Sequence, residues 1–218
     1  MEQKPIPILL TDNFFLFPSC SQFLNLETNP ILKKVLISAW KNGEGKILVV
    51  SSRKPLTIDS FSGYNSETFF TNGSLVKIEI DLSKDANVEI VFNSLRDIQL
   101  IGLERVELLD VFKDNEENIW KSNYRILRDN ISSNNQKDIK TLNELTEKFV
   151  RSLPNLLKKT SLTIADSLPY LAIGDISNFA DYVVQNSKGL DRQFKQLILE
   201  EFKLKKRLKI LLELEKKN

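Results

Sequence analysis

The feature that most constrains this chain is a change of apolar period near residue 130. Before it, apolar residues come in short runs separated by turn residues. One run alternates cleanly, with Val76, Ile78 and Ile80 set between Lys77, Glu79 and Asp81. Such alternation places one face of a strand on a core and the other in water. After it, apolar positions fall three and four apart, as in Ile139, Leu142, Leu145, Phe149 and Leu153. That is the spacing of a single helix face. We therefore read an α+β chain: a β-rich lobe over residues 1–130 and a helical lobe over 131–218, joined by the polar stretch 130–136.

Further strand candidates in the first part are Ile6 to Leu10, Phe14 to Phe17, Ile47 to Val50, Ile98 to Ile101, Val106 to Phe112 and Tyr124 to Leu127. Val88 to Phe92 reads as the hairpin partner of the Val76 strand, with Asp85-Ala86-Asn87 as turn. One helix interrupts this series. Asn29 can cap it, Pro30 suits its first position and Asn42-Gly43 ends it, with Ile31, Leu32, Val35, Leu36 and Ala39 on the side that covers the sheet. Residues 51–72 form the longest expected loop and carry four aromatics: Phe61, Tyr64, Phe69 and Phe70.

In the second part, Pro154 is expected to break or kink the first helix. A short helix over 161–168 should end before Pro169. Asp175 reads as the cap of a helix through Val184 closed by Lys188-Gly189, and Asp191 opens another. The final stripe of Phe202, Leu204, Leu208, Leu211 and Leu212 is flanked by Lys203, Lys205, Lys206, Arg207 and Lys209. It carries no stop signal and reads as a long helix that continues past residue 218, the competing reading being a frayed terminal helix with a solvated basic face.

The chemistry available is narrow. The 218 residues include no histidine, so the commonest general base and metal ligand are missing. The single cysteine, Cys20, can form neither an internal disulfide nor a thiolate cluster, which fits a reducing compartment and makes the cytoplasm the expected location. None of the seven glycines falls into a phosphate-binding pattern. A formal charge of +2 disfavours nucleic acid as a partner, and no apolar run is long enough to span a membrane. Nothing here marks an enzyme.

An ordered series of weak motifs resembles the amino-terminal domain of the Lon family of ATP-dependent proteases. It begins at Pro5-Ile-Pro-Ile-Leu-Leu-Thr-Asp12 and Phe17-Pro18, and continues through the helix from Pro30 to Trp40 and the strand Ile47 to Val50. Asn72-Gly73-Ser74-Leu75-Val76-Lys77-Ile78 and Gly102-Leu103-Glu104-Arg105 follow. The helical half adds Asp175-Ile-Ser-Asn-Phe179-Ala180-Asp181, Lys195-Gln196, Leu199-Glu200, Arg207-Leu208 and Leu211-Leu212. Three positions depart from the family pattern: Ser19 stands where Gly is usual, Phe23 where Pro is common, and Ile176 replaces a Pro.

The resemblance implies a PUA-like pseudo-barrel lobe with one covering helix, then a helical bundle ending in a long helix. It implies a substrate-recognition and assembly domain within a homohexameric serine protease that degrades misfolded or tagged proteins. ATP, Mg²⁺ and the Ser-Lys dyad would belong to AAA+ and peptidase modules outside these residues, leaving this fragment without catalysis, cofactor or metal of its own. The alternative is a free-standing LON-type module that binds protein or peptide.

Phe61, Tyr64, Phe69 and Phe70 are the candidate substrate contacts, as an apolar patch suited to clients that share only exposed hydrophobicity; the competing reading is a local core that pins the loop. Gly73 and Gly102 read as backbone devices. Arg105 reads as a cross-sheet ion-pair partner, Asp175 as a cap, Asp181 as a solvated or interlobe ion-pair partner, and the 203–209 run as a solvated basic face.

Overall fold

The computed structural model describes residues 4–12, 14–27, 30–42, 45–53, 68–80, 87–129, 136–158, 160 and 162–216. It separates into two compact units, Met1–Leu127 and Arg128–Asn218.

The first unit contains strands β1 (Ile6–Thr11), β2 (Ser21–Asn25), β3 (Lys46–Ser51), β4 (Asn72–Glu79), β5 (Asp97–Asp114) and β6 (Ile119–Ile126), with helices α1 (Pro30–Asn42) and α2 (Val88–Ser94). The strand order is β2-β5-β4-β3-β1-β6, and β6 pairs back onto β5. Five strands thus close into a barrel, with β1 and β3 parallel, while β2 is added outside on the first part of β5. Closure depends on the length of β5, whose 18 residues serve β2 and β4 at one end and β4 and β6 at the other. The expected strands at Ile98 and Val106 are therefore parts of one strand.

Alternation fills the barrel. Ile6, Ile8, Leu10, Leu48, Val50, Leu75, Val106 and Leu108 meet Phe69 in one buried cluster, with Trp120 and Tyr124 packed against it. Each such side chain contributes about 1.5–3 kcal/mol by leaving water. Leu32, Val35, Leu36 and Ala39 are buried on α1, as their spacing requires.

Several expectations need correction. Residues 88–92 are not a hairpin strand but part of α2. The Asn87 side chain accepts hydrogen bonds from the Glu89 and Ile90 amides at 3.0 and 3.2 Å, and this cap commits an ambiguous apolar run to helix. β4 pairs instead with β3 and β5, and a second helix accompanies the expected α1. Phe14 to Phe17 forms no strand. It leads into a turn in which Ser19 holds φ 60°, the left-handed conformation for which glycine is the cheaper choice. β2 follows that turn and was not anticipated. Asn29 and Gly43 lie outside the described residues.

The second unit holds α3 (Gln136–Leu157), α4 (Ile164–Ile173), α5 (Ile176–Asn186), α6 (Arg192–Glu200) and α7 (Leu204–Lys216). α3 runs past Pro154 for a further turn, because Leu153, Leu156 and Leu157 are all buried there. α4 likewise runs past Pro169. Its start is held by a reciprocal capping box between Thr163 and Asp166, and its end by Gly174 at φ 70°. The Thr163 amide beside the Asp166 carboxylate holds that group below the usual aspartate range. α5 ends at Asn186 with Ser187 as its C-cap, ahead of the expected Lys188-Gly189 stop, and α7 has 13 residues. Asp175 caps α5 as expected, accepting from the Asn178 amide at 3.1 Å, and Asp191 caps α6.

Candidate functional site

The described residues of the aromatic loop are its two ends, 51–53 and 68–72. Ser52 and Phe69 form an antiparallel bridge, and the Arg53 amide donates to the Thr68 carbonyl at 2.7 Å. Phe69 turns inward to the barrel core, 1% exposed, with its ring edge-on to Trp120 at 6.2 Å. It drops out as a surface contact, because the alternation along this segment sends its ring into the core while Thr68 and Phe70 stay half-buried. Phe70 is half-buried, with the Arg53 guanidinium 4.8 Å from its ring centroid. Phe61 and Tyr64 lie outside the described residues.

The surface offers other apolar side chains that the sequence reading missed. Phe23 on β2 is 65% exposed. Two β-bulges on β5 each put a leucine outward. Val76 pairs with Gly102 and Leu75 with Glu104, so Leu103 is the extra residue; the second bulge lies between Leu108 and Val111 and contains Leu109. A bulge interrupts the two-residue alternation and re-aims a side chain, which is why these leucines are exposed within an apolar strand. Phe112 is also exposed. The signal that could have flagged Phe23 was its departure from the family pattern within an uncharged segment.

In the helical unit the exposed apolar side chains concentrate on α4. Leu168 and Ile173 are exposed, whereas Ser167 is buried. Tyr170 anchors the helix by stacking on Phe179 of α5, ring centroids 5.5 Å apart, and by a tilted contact with Tyr182 at 5.2 Å.

The charged candidates have structural partners. Arg207 does not belong to a solvated face: it is 2% exposed and donates to Asp181, itself 0% exposed, at 2.5 Å. Its second amino group donates to the Ser177 hydroxyl at 2.7 Å. Asp181 is therefore buried rather than solvated, and its ion pair with Arg207 runs from α5 to α7 within one unit. Lys205 pairs with Asp138 on α3 at 2.6 Å and holds that carboxyl below its usual range, and Lys206 pairs with Glu201. Burial pushes the Lys195 ammonium below the usual lysine range, and it donates to the Gln185 carbonyl at 3.1 Å. Arg105 lies buried over the Phe17 ring, 5.9 Å from its centroid. Gly102 faces backbone: an added Cβ would stand 2.1 Å from the Phe17 carbonyl oxygen, and at Gly73 2.4 Å from that of Val49.

Among the described residues no group of three or more Cys, Asp or Glu is placed to hold a metal ion, and no helix is long and apolar enough to cross a membrane. The family model for the ATP-dependent protease La (LON) substrate-binding domain matches residues 5–217. The chain belongs to that family. The fold of a Lon substrate-binding domain is shared with two solved structures. One is the N-terminal domain of the Mycobacterium avium complex Lon protease, with 11% identity, TM-score 0.60 and 98% of each chain covered. The other is a Lon N-terminal domain protein from Xanthomonas campestris, with 13% identity, TM-score 0.54, and 97% of this chain and 98% of that one covered. A search of curated protein sequences found no match.

Proposed function

We propose that this Lon substrate-binding domain captures misfolded or tagged polypeptides for a Lon-type ATP-dependent protease, through apolar contacts. The observation that carries this reading is the exposure of Leu109 and Phe112 on β5 of the closed barrel and of Phe23 on β2, the strand added beside it. Large apolar side chains on a rigid frame suit clients whose common property is exposed hydrophobicity. Phe61, Tyr64 and Phe70 are proposed to add to this surface. In the parent protease, a cytoplasmic homohexamer, an AAA+ module using ATP and Mg²⁺ would unfold the captured chain and a Ser-Lys peptidase would cut it.

The energetics fit capture followed by hand-over. A disordered client loses conformational entropy on binding, and one domain lacks the avidity of a ring, so weak binding is expected. Salt should leave it largely intact. Three of the five positive charges of the 203–209 segment, on Lys205, Lys206 and Arg207, are ion-paired within their own unit, and the proposed capture surface is apolar. The test is titration of labelled, reduced and carbamidomethylated lactalbumin at low and high salt. We expect the dissociation constant to change by about twofold or less, since screening acts on exposed charges and not on apolar burial. Binding that collapses at high salt would identify an electrostatic contact and overturn the apolar reading.

A further inference from the structure

Among the described residues, β2 is the one strand of the sheet paired on a single side. β1, β3, β4 and β6 each have two neighbours within the closed barrel, and β5 pairs with β4 from Gln99 to Glu107 and, on its other side, with β2 from Asp97 to Ile101 and β6 from Val106 to Asp114. The register fixes which β2 groups face outward. Gly102 donates to the Cys20 carbonyl at 2.9 Å, and Leu26 donates to the Arg96 carbonyl at 2.7 Å. In an antiparallel ladder hydrogen-bonded pairs recur every second residue, so Gln22 and Leu24 point their main chain at β5. The main-chain N–H and C=O groups of Phe23 and Asn25 point away from it.

Natural edge strands are usually blunted by Lys, Pro, an inward charge or a bulge. Ser21–Asn25 reads Ser-Gln-Phe-Leu-Asn and has none of these, and its pairing with β5 is regular. Phe23 and Asn25 are both solvent-exposed. The Phe23 carbonyl is held by the Gln22 side-chain amide of its own strand at 3.0 Å, a contact an incoming N–H can replace.

We propose that the outer edge of β2 is a strand-addition site, at which an extended, uncharged segment of an unfolded client pairs with the main chain of Phe23 and Asn25. The inference rests on the client-capture reading above and supplies its binding mode. An array of outward N–H and C=O groups at strand spacing is matched by another extended chain. Folded proteins have already paired their strands and unfolded ones have not, so the edge selects by folding state. The neutral strand and the exposed Phe23 ring favour a segment with apolar residues at alternate positions.

Two variants separate main-chain pairing from apolar contact. Asn25→Pro deletes an outward N–H without touching the bonds to β5 and leaves Phe23 in place, a position where edge strands accept proline. Phe23→Thr removes the ring but keeps a good strand former. Binding of carbamidomethylated lactalbumin to the full chain is measured for each, with folding checked by circular dichroism. Amide hydrogen exchange of Phe23 and Asn25 is followed by NMR in the unaltered protein.

We expect Asn25→Pro to weaken binding about fivefold, the worth of one hydrogen bond, and Phe23→Thr about tenfold. The Phe23 and Asn25 amides should slow at least about tenfold when the probe is bound, as hydrogen-bonded amides exchange only through opening. If the unaltered chain binds but Asn25→Pro binds equally and neither amide slows, strand addition is wrong while client capture stands. If the unaltered chain does not bind, both fall. A dimer in sedimentation that Asn25→Pro dissolves, with lactalbumin binding unchanged, gives the edge to a second copy of this chain and overturns the proposal.

Discussion

Arg207→Met is expected to destabilise the helical unit by about 3–5 kcal/mol, because it strands a buried carboxylate. Asp181 is fully buried among Phe179, Ala180, Val183 and Val184, and Arg207 lies between Leu204 and Leu208 on the stripe that packs α7. Removing the guanidinium deletes the 2.5 Å pair and the 2.7 Å bond to Ser177 together, tethers that tie α7 to α5. The two units can be followed separately. Both tryptophans, Trp40 and Trp120, belong to the first unit, so tryptophan fluorescence follows the barrel. Circular dichroism draws mainly on the second. The dichroism midpoint should fall by roughly 12 °C or more, and the fluorescence midpoint by much less. Adding Asp181→Leu should recover most of the loss, since an apolar pair tolerates burial where a single charge does not. A loss under about 1 kcal/mol, the range of an exposed pair, would show that the two charges are solvated in solution.

Gly102→Ala should act on the other unit with comparable force. The new methyl would sit 2.1 Å from the Phe17 carbonyl oxygen and 2.8 Å from its carbon, and both are backbone atoms that cannot rotate away. The turn must retreat, which weakens the 2.8 Å bond from the Ser19 amide to Gly102 and the 2.9 Å bond from Gly102 to Cys20. Overpacking and two strained hydrogen bonds together suggest a cost of about 3 kcal/mol or more. Here the fluorescence transition should move. Gly189→Ala, whose Cβ would meet nothing within 4 Å, is the control and should stay within about 0.5 kcal/mol of the unaltered protein. The same turn launches β2, so Gly102→Ala should also loosen the outer edge.

How much of this was legible in the residues depends on whether one local signal dominated. The Val76 alternation and the α1 spacing were decisive because burial on one face leaves a single solution. Val88 to Phe92 misled because a short apolar run suits strand or helix equally, and the decision lay one residue upstream in the Asn87 cap. The strand β2 was invisible: Ser-Gln-Phe-Leu-Asn exposes Phe23 and carries little apolar pattern, being held by pairing to β5 rather than by burial. Leu103 and Leu109 could not be read as surface residues, since register shifts arise from tertiary pairing. The Arg207–Asp181 pair carries a signal in the sequence. Each is a lone charge inside an apolar helical stripe, and two such charges of opposite sign in one unit are a reason to suspect burial. Of the four loop aromatics, Phe69 proved a core residue, because alternation across the Ser52–Phe69 bridge sends its ring into the barrel.

The proposed apolar capture would make this domain respond to the unfolded state of a client. The most direct test uses one polypeptide in two states: native lactalbumin, and the same chain reduced and carbamidomethylated, each titrated against the 218-residue chain by fluorescence anisotropy. The account predicts binding of the unfolded form at least about tenfold tighter than the native form, a difference of roughly 1.4 kcal/mol supplied by apolar surface exposed only after unfolding. Equal affinity for the two forms, or tighter binding of the native one, would contradict it.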